Sequence, residues 1–405
     1  MEAAVRGVGL LPAFQPIVTL KDHSVIGFEA LARWPSLGAV APQDVFAHAR
    51  ANGDAERLDQ LCIDAAIERA LSTPLPSDAV LSLNCEPATV HRAGVTPGAL
   101  SRAKERFQVM FEITERSLLA RPRLLLQQVA ALRADGFLIA LDDVGAHPES
   151  SALLDVISPD VIKLDLALVQ SQPDYSQAQT LSAVLAHHER TGAAILAEGI
   201  ENEAHLEQAL ALGAELGQGF WFGAPGDADA AATGGHWSPQ QPAQPRSLSP
   251  SASPFGLIAG HHRLRTARKA TVVAFSKHIE AQAHHAADPP MVLAALQRAE
   301  HLTARTLGRY RDLAVRSPLV AVFAQQMPAE VGGNIRGVAL QSTDPLCTEW
   351  TVVTLGPHTA AALIAREHPD TPPDTADVGR RFEFVITYDR GLVTAAAHSL
   401  LNRMV

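Results

Sequence analysis

Short apolar runs alternate with longer amphipathic segments over about the first 220 residues of the chain. A short apolar run between turn residues is typical of a buried strand, whereas apolar residues at i, i+3 and i+4 are typical of a helix. The pattern predicts strands at Pro12–Val18, Ser24–Ala32, Ala79–Asn84, Val109–Thr114, Phe137–Asp142, Val161–Asp165, Ala194–Glu198 and Leu216–Trp221. It predicts helices that include Pro42–Ala49, Glu56–Leu71, Arg121–Asp135, Ser176–Thr191 and Glu203–Leu212.

This alternation favours an α/β fold in which a parallel sheet closes as a TIM-like (β/α)8 barrel. In such a barrel the functional groups lie on the loops at the carboxyl ends of the strands. An open doubly wound sheet is the alternative. The glycines of Gly213–Gly223 do not fit GxGxxG between a strand and a helix, so no nucleotide fingerprint supports that alternative.

The composition changes between Gly226 and Pro254, where Pro, Ser, Gln and Gly replace nearly all aliphatic residues. Such a segment cannot bury enough apolar surface to fold and is typical of a linker. The predicted domains are therefore a barrel at 11–225, a linker at 226–255 and an α+β domain at 256–405. In the last domain we predict helices at Leu264–Ala283 and Met291–Leu307, strands at Leu319–Gln325, Gly337–Leu340, Thr348–Leu355 and Phe382–Thr387, and a final helix.

Composition narrows the class of protein. A chain of 405 residues, 47% hydrophobic and 19% charged, is long enough for two globular domains. The absence of a signal-peptide pattern and of an apolar run near 20 residues predicts a cytoplasmic protein without a membrane partner. Three scattered cysteines suit reduced thiols. Residues 1–250 carry a net charge of −13 and 251–405 one of +3, which disfavours binding to a nucleic-acid polymer.

Polar side chains recur where the predicted strands end. Asp142 and Asp143 close the run Phe137–Gly145, and by themselves they would be read as a solvated turn. The other strand ends carry Glu29, Asn84, Glu112, Lys163 with Asp165, Glu198 with Glu201, and Gln218. Each has an ordinary structural explanation, but oxygen donors converging on one barrel mouth favour a site for Mg²⁺ or Mn²⁺. Two such ions sharing an aspartate are suited to attack on a phosphodiester.

The motifs FEALAR, LSLN, FEITE, LDDVG, IKLD, AEGIE and GQGFWFGAP, in this order and spacing, resemble the EAL-domain family of cyclic di-GMP phosphodiesterases. The resemblance covers roughly residues 11–225. It implies a TIM-like barrel whose first strand runs antiparallel to the others. It also implies conversion of cyclic di-GMP to linear pGpG with two Mg²⁺ or Mn²⁺ ions, and a possible homodimer through the barrel.

The resemblance implies a role for each matching residue. The metal ligands would be Glu29, Asn84, Glu112, Asp142, Asp143 and Glu198, with Asp142 bridging the two ions. Lys163 would lie beside the nucleophilic water, and Glu29 and Glu198 would complete the catalytic set. The substrate-binding residues would be Gln15, Leu31, Arg33, Asp165, Glu201 and Gln218, with Arg33 clamping a phosphate and Glu201 tethering the loop after Asp143.

One loop departs from the family pattern. Val144–Ser151 reads VGAHPESS, where the family usually has FGTGYSS around the second metal and the dimer contact. Two classes of function therefore stay open: an active phosphodiesterase, or a catalytically weak or inactive cyclic di-GMP receptor or signalling scaffold.

The C-terminal sequence has its own resemblance. The segments HLTARTLGRYRDLA, LQSTDPLCTEWTVVTLGPHTAAALIARE and RRFEFVITYDRGLVTAAAHSLL resemble the DICT domain. This implies a sensory, regulatory role for 256–405 toward a signal or partner that the resemblance does not name.

Overall fold

A computed structural model of the chain describes residues 1–38, 40–86, 97–114, 121–146, 150–228, 234–239, 252–259, 262–371 and 379–404. Its contacts divide the chain into two units. The first comprises Met1–Ala120, Leu124–Ser150 and Ile157–Pro242, and the second comprises Arg121–Arg123, Ser151–Val156 and Ala243–Val405. Among the described helices, none combines the length and the apolar character needed to cross a membrane.

Eight strands of the first unit form a closed barrel in sequential order. They are β1 (Ala13–Thr19), β2 (Val25–Leu31), β3 (Val80–Asn84), β4 (Gln108–Thr114), β5 (Leu138–Val144), β6 (Val161–Leu164), β7 (Ala194–Ala197) and β8 (Leu216–Gly217). Strands β2 to β8 run parallel, whereas β1 pairs antiparallel with both β2 and β8. The predicted TIM-like barrel with a modified first strand is confirmed.

A short hairpin explains the reversed first strand. Only five residues separate β1 from β2, too few for the crossover helix that a parallel connection requires. The turn is held by the Asp22 carboxylate, which accepts hydrogen bonds from the backbone N–H and Oγ of Ser24 and from Thr19 Oγ1. These bonds favour the charged carboxylate and lower the pKa of Asp22 to about 2.

The described helices up to residue 211 are α1 (Glu2–Val5), α2 (Pro42–Ala51), α3 (Ala55–Ser72), α4 (Pro97–Arg106), α5 (Pro122–Ala134), α6 (Leu154–Ile157), α7 (Leu166–Val169), α8 (Tyr175–Thr191) and α9 (Glu203–Ala211). Local signals set their ends. Helix α8, for example, begins with a capping box between Asp174 and Gln177 and ends at Gly192, whose left-handed backbone (φ 73°) terminates the helix.

The barrel interior is apolar at one level and polar at the mouth. All eight strands contribute a buried side chain to one cluster, which comprises Ile17, Ile26, Val80, Met110, Ala140, Val161, Ala194, Leu196 and Leu216. This layer fills the barrel below the carboxyl ends of the parallel strands, as side-chain layers do in TIM barrels. The polar strand-end residues therefore rest on a packed floor.

The second unit contains a seven-stranded sheet in the order β12-β11-β10-β13-β14-β15-β9. The strands are β9 (Arg265–Arg268), β10 (Met291–Arg298), β11 (Val320–Gln325), β12 (Ile335–Leu340), β13 (Glu349–Leu355), β14 (Ala360–Glu367) and β15 (Arg381–Thr387). Its helices are α10 (Pro254–Ile258), α11 (Lys269–His285), α12 (Ala304–Ala314) and α13 (Arg390–Leu401). Helices α11 and α12 pack on one face of the sheet around Tyr310, Leu363 and Phe382. The predicted α+β class is confirmed.

Several predicted elements of this unit are wrong. Met291–Leu307 was expected to be a helix, but Met291–Arg298 is a central strand, and α12 begins only at Ala304. Strand β10 is buried from Met291 to Gln297 between β11 and β13, and this tertiary burial overrides the helix propensity of its Ala and Leu residues. The predicted helix Leu264–Ala283 begins with strand β9, and strand β14 was not predicted.

Candidate metal and substrate site

Four carboxylates from four strand ends surround one buried lysine. The Lys163 Nζ atom lies 2.7 Å from Glu112 Oε2, 2.9 Å from Asp142 Oδ1, 2.8 Å from Glu198 Oε1 and 3.8 Å from Glu29 Oε2. The lysine side chain is only 1% exposed. The register brings these groups to one level, because Asn84 pairs with Glu112 and Gln15 pairs with Glu29. The barrel thus gathers the predicted strand-end residues at its mouth.

Amide and hydroxyl groups hold the carboxylates in place. Glu29 accepts hydrogen bonds from Asn84 Nδ2 (2.9 Å) and from Gln218 Nε2 (2.8 Å). Gln218 Nε2 also donates to Gln15 Oε1 (3.1 Å). Ser82, which was not among the predicted site residues, donates from Oγ to Glu112 Oε1 (2.5 Å). Asn84, Gln15 and Gln218 therefore belong to the same network as the acids.

A β-bulge explains how two neighbouring aspartates serve one site. Successive side chains of a regular strand point to opposite faces, so Asp142 and Asp143 would normally diverge. Here the pairing of β5 with β6 shifts between Leu141 and Val144, and Asp143 adopts a left-handed backbone with φ 55°. As a result, carboxylate oxygens of Asp142, Asp143 and Glu198 all lie within 4.8 Å of one another.

The donor set fits hard divalent cations. Five acidic side chains gather at this mouth around a single ammonium, more acids than one positive charge can neutralise. The buried Oε1 atom of Gln218 has no hydrogen-bond partner among the described residues, so it offers a further oxygen. Carboxylate and amide oxygens are the ligands that Mg²⁺ and Mn²⁺ prefer.

Burial and mutual repulsion raise the pKa values of acids in the cluster. Burial raises the pKa of Glu198 to about 8, with the charges of Asp142 and Glu29 adding to it, against the opposing charge of Lys163. Burial and the Glu29 charge likewise raise the pKa of Glu112 well above its usual value. Burial by itself lowers the pKa of Lys163. The negative charges of Asp142, Glu112 and Glu198 outweigh this effect, so the pKa of Lys163 is raised well above its usual value. Lys163 therefore stays protonated at neutral pH.

A cavity of about 550 Å³ extends from this cluster between β2, β3 and helices α2 and α3. Glu29, Asn84 and Glu112 line its end at the acidic cluster, and the predicted substrate residues Leu31 and Arg33 line its wall. Arg33 Nη1 donates to the carbonyl oxygen of Ala32 at 2.9 Å. The cavity therefore connects the acidic cluster to a predicted phosphate clamp.

Two predicted substrate residues have structural contacts of their own. Asp165 Oδ1 accepts a hydrogen bond from the backbone N–H of Ala167, so it caps α7. Glu201 is exposed, and its backbone N–H donates to His205 Nδ1 at 3.3 Å. The loop that Glu201 was expected to tether includes 147–149, which lie outside the described residues. The roles predicted for Asp165 and Glu201 stay predictions.

Comparison with known proteins identifies the family. The model of the EAL domain matches residues 1–225, more than half of the chain. A second model, the sensory domain in diguanylate cyclases and two-component systems (DICT), matches residues 258–368. The chain belongs to the EAL-domain family and carries a DICT domain after the barrel.

Individual relatives match the barrel part. An uncharacterized protein of Azorhizobium caulinodans is 31% identical over 235 residues, which are 53% of this chain and 31% of the relative. The cyclic di-GMP phosphodiesterase RocR of Pseudomonas aeruginosa is 29% identical over 220 residues, 52% of this chain and 56% of RocR. The manganese and cyclic di-GMP complex of Klebsiella pneumoniae BlrP1 (pH 9.0) has a TM-score of 0.47 at 28% identity, covering 54% of this chain and 56% of BlrP1. The match thus spans less than two thirds of each of these proteins.

Proposed function

We propose that the chain hydrolyses cyclic di-GMP to linear pGpG in a reaction that requires two divalent cations, Mg²⁺ or Mn²⁺. The observation that carries this proposal is the convergence of four carboxylates on Lys163 at the barrel mouth, with a fifth, Asp143, beside Asp142 and Glu198. Membership of the EAL-domain family and the relative named a cyclic di-GMP phosphodiesterase support the choice of substrate.

The strand-end oxygens divide into two proposed ligand sets. Glu29, Asn84, Glu112 and Asp142 would hold one ion, and Asp142, Asp143 and Glu198 would hold the other. The bound ions would supply a water molecule of lowered pKa and would neutralise charge on the phosphodiester. Because the five acids repel one another without cations, the two sets also explain how a domain of net negative charge accepts an anionic substrate.

Lys163 is proposed to position the attacking water rather than to deprotonate it. Its neighbours Asp142, Glu112 and Glu198 raise its pKa, so it enters the reaction already protonated. A fixed ammonium beside the reacting water stabilises the negative charge that develops there, and Glu29 and Glu198 hold it in place.

The remaining substrate contacts are proposed from position. Arg33 would clamp a phosphate with its fork-shaped guanidinium, and Leu31 would pack against the substrate inside the cavity. Gln15 and Gln218, which hydrogen-bond each other, would line the opposite side of the mouth. Asp165 and Glu201 would support the same face.

The rest of the chain is proposed to regulate this site. The DICT match supports a sensory role for the predicted domain at 256–405, joined to the barrel at 11–225 by a linker at 226–255. A homodimer through the barrel is a further proposal. The prediction of a cytoplasmic protein is supported by the three free thiols Cys62, Cys85 and Cys347.

The decisive experiment measures pGpG formed by the full chain with Mg²⁺ or Mn²⁺ and with a chelator. We expect metal-dependent product, and we expect Glu29→Ala and Asp142→Asn each to lose at least about 100-fold in rate, since even residues behind metal ligands are worth 10- to 100-fold. Glu68→Gln, which removes an exposed carboxylate of α3, is the control. Tight binding of cyclic di-GMP without formation of pGpG would contradict the proposed enzyme and would mean that the chain is a cyclic di-GMP receptor.

A further inference from the structure

The cavity that starts at the acidic cluster continues to an ion pair between Arg50 and Glu86. Arg50 lies in the last turn of α2, and Glu86 lies two residues beyond the end of β3. Arg50 donates from Nε (3.3 Å) and Nη2 (3.2 Å), both to Oε1 of Glu86. Both residues line the cavity together with Glu29 and Asn84. The bonds that join the pair do not involve Arg50 Nη1 or Glu86 Oε2.

A buried acid fixes the backbone of Glu86. Its backbone N–H donates to Oδ2 of Asp59, which is only 2% exposed. Cys85, the residue before it, accepts a hydrogen bond on Sγ from buried Gln128 Nε2 at 3.0 Å. A partly exposed ion pair by itself adds little stability, yet here a buried carboxylate is used to fix the backbone of one partner.

We infer that Arg50 and Glu86 read the edge of one guanine base of the substrate. This inference rests on the proposed function, because it assigns a base to the cavity next to the proposed phosphodiester site. Guanine presents two acceptors, O6 and N7, which suit a guanidinium, and two donors, N1–H and the 2-amino group, which suit a carboxylate. Adenine places a donor where guanine has O6, so Arg50 would disfavour it.

The dimensions of the cavity agree with this assignment. Glu86 follows Asn84 by two residues, so their Cα atoms are at most about 7 Å apart. That distance is comparable with the span from a phosphate to its base in a nucleotide. The volume of about 550 Å³ admits a purine nucleoside, and Phe46, Ile63 and Ala66 give the lining apolar surface for the faces of the ring.

The test compares three cyclic dinucleotides with the full chain: cyclic di-GMP, cyclic di-IMP, which lacks the 2-amino group, and cyclic di-AMP. Selectivity is the ratio of kcat/KM values, or the ratio of Kd values from calorimetry if the chain binds without turnover. We expect Glu86→Gln to lower the preference for cyclic di-GMP over cyclic di-IMP by about 10-fold. We expect Arg50→Gln to lower the preference for cyclic di-GMP over cyclic di-AMP by a similar factor.

The matched control is the ion pair between Arg102 and Glu68, which joins α4 to α3 and does not line the cavity. Arg102→Gln and Glu68→Gln should leave both ratios within about 2-fold of wild type. If the Arg50 and Glu86 variants lose the same factor in kcat/KM or Kd for all three cyclic dinucleotides, or keep the wild-type selectivity ratios, the inference is overturned and the ion pair is only a structural contact. A wild-type chain that neither binds nor hydrolyses cyclic di-GMP would overturn the proposed function as well. Turnover with unaltered ratios would overturn the inference alone.

Discussion

Asp143 combines a backbone role with a side-chain role in the proposed metal site. Its left-handed conformation (φ 55°) creates the bulge that turns two adjacent carboxylates to the same mouth. Residues with a Cβ disfavour this conformation by roughly 1–2 kcal/mol, but Asp and Asn tolerate it because their short polar side chains bond locally. An aspartate at 143 therefore supplies the bend at low cost, and its carboxylate is the proposed oxygen ligand.

Two substitutions separate the backbone role of Asp143 from its ligand role. In the presence of a chelator, we expect Asp143→Ala to have a free energy of unfolding about 1 kcal/mol below that of Asp143→Asn, because only Asn tolerates the left-handed backbone. Both variants lose a charged oxygen, so both should bind Mn²⁺ more weakly. Urea unfolding measures the first effect, and Mn²⁺ calorimetry measures the second.

Asp78 provides a control with the same backbone and no part in the site. It is exposed, has φ 68° and precedes the amino end of β3, opposite the mouth. Asp78→Ala and Asp78→Asn should reproduce the difference in stability and leave Mn²⁺ affinity unchanged. Equal stabilities of the two Asp143 variants would show that the bend does not depend on the residue type.

The chemistry of the site could be predicted at the residue scale, but its geometry could not. Acidic residues at strand ends are visible in the sequence because their type and their place after an apolar run are both local. The bulge at Asp143 arises from pairing between β5 and β6, which the sequence does not encode as a motif. Arg50 and Glu86 are 36 residues apart and meet only because α2 packs beside the end of β3.

At the scale of elements, two tight turns fix Glu198 and Gln218 at the mouth. Strand β8 is shorter than the predicted Leu216–Trp221, since only Leu216–Gly217 pairs with its neighbours. The chain then turns against the segment after β7: Ile200 donates its N–H to Gln218 O, and Trp221 donates its N–H to Ile200 O. A Cβ at Gly219 would lie 2.1 Å from the backbone oxygen of Ile200.

Gly219→Ala should therefore damage stability and activity together. Overpacking of this kind costs about 1–3 kcal/mol, and its relief would move Gln218 away from Glu29. We expect urea unfolding to show a loss in that range and pGpG formation to fall. Gly98→Ala in α4 is the control, because nothing lies within 4 Å of its added Cβ, and its effect should stay within about 1 kcal/mol. Wild-type stability of Gly219→Ala would contradict the close packing of these turns.

Barrel strands were easier to predict than the strands of the second sheet. Strands β5 and β6 each begin with an apolar run, LIAL and VI, before their polar site residues, which is typical of a sheet covered on both faces. Strands β10 and β14 read MVLAALQR and AAALIARE, whose Ala and Leu residues favour helix in isolation. Their conformation is decided by burial between neighbouring strands, which a local pattern does not contain.

At the scale of the whole molecule, each unit has a core of its own. The first unit is filled by the barrel layer that includes Ile17 and Met110, and the second by the cluster around Tyr310 and Phe382. The proposed metal ligands all belong to the first unit. In the second, buried Glu280 accepts hydrogen bonds from Arg309 Nε (2.7 Å), Tyr310 Oη (3.2 Å) and Ser276 Oγ (2.9 Å). Each unit therefore has a polar network that can be perturbed separately.

We expect two calorimetric unfolding transitions, of which metal stabilises only one. At a concentration of 100 Kd, Mn²⁺ binding to the folded barrel adds about 2.7 kcal/mol, which raises the Tm of that transition by roughly 5–10 °C. Asp142→Asn should remove most of this shift. Arg309→Met should leave the Mn²⁺ shift intact and lower the Tm of the other transition, because the loss of the ion-pair partner of the buried Glu280 costs about 3 kcal/mol. A single transition that responds to both Mn²⁺ and Arg309→Met would contradict this expectation, because it would mean that the two units unfold together.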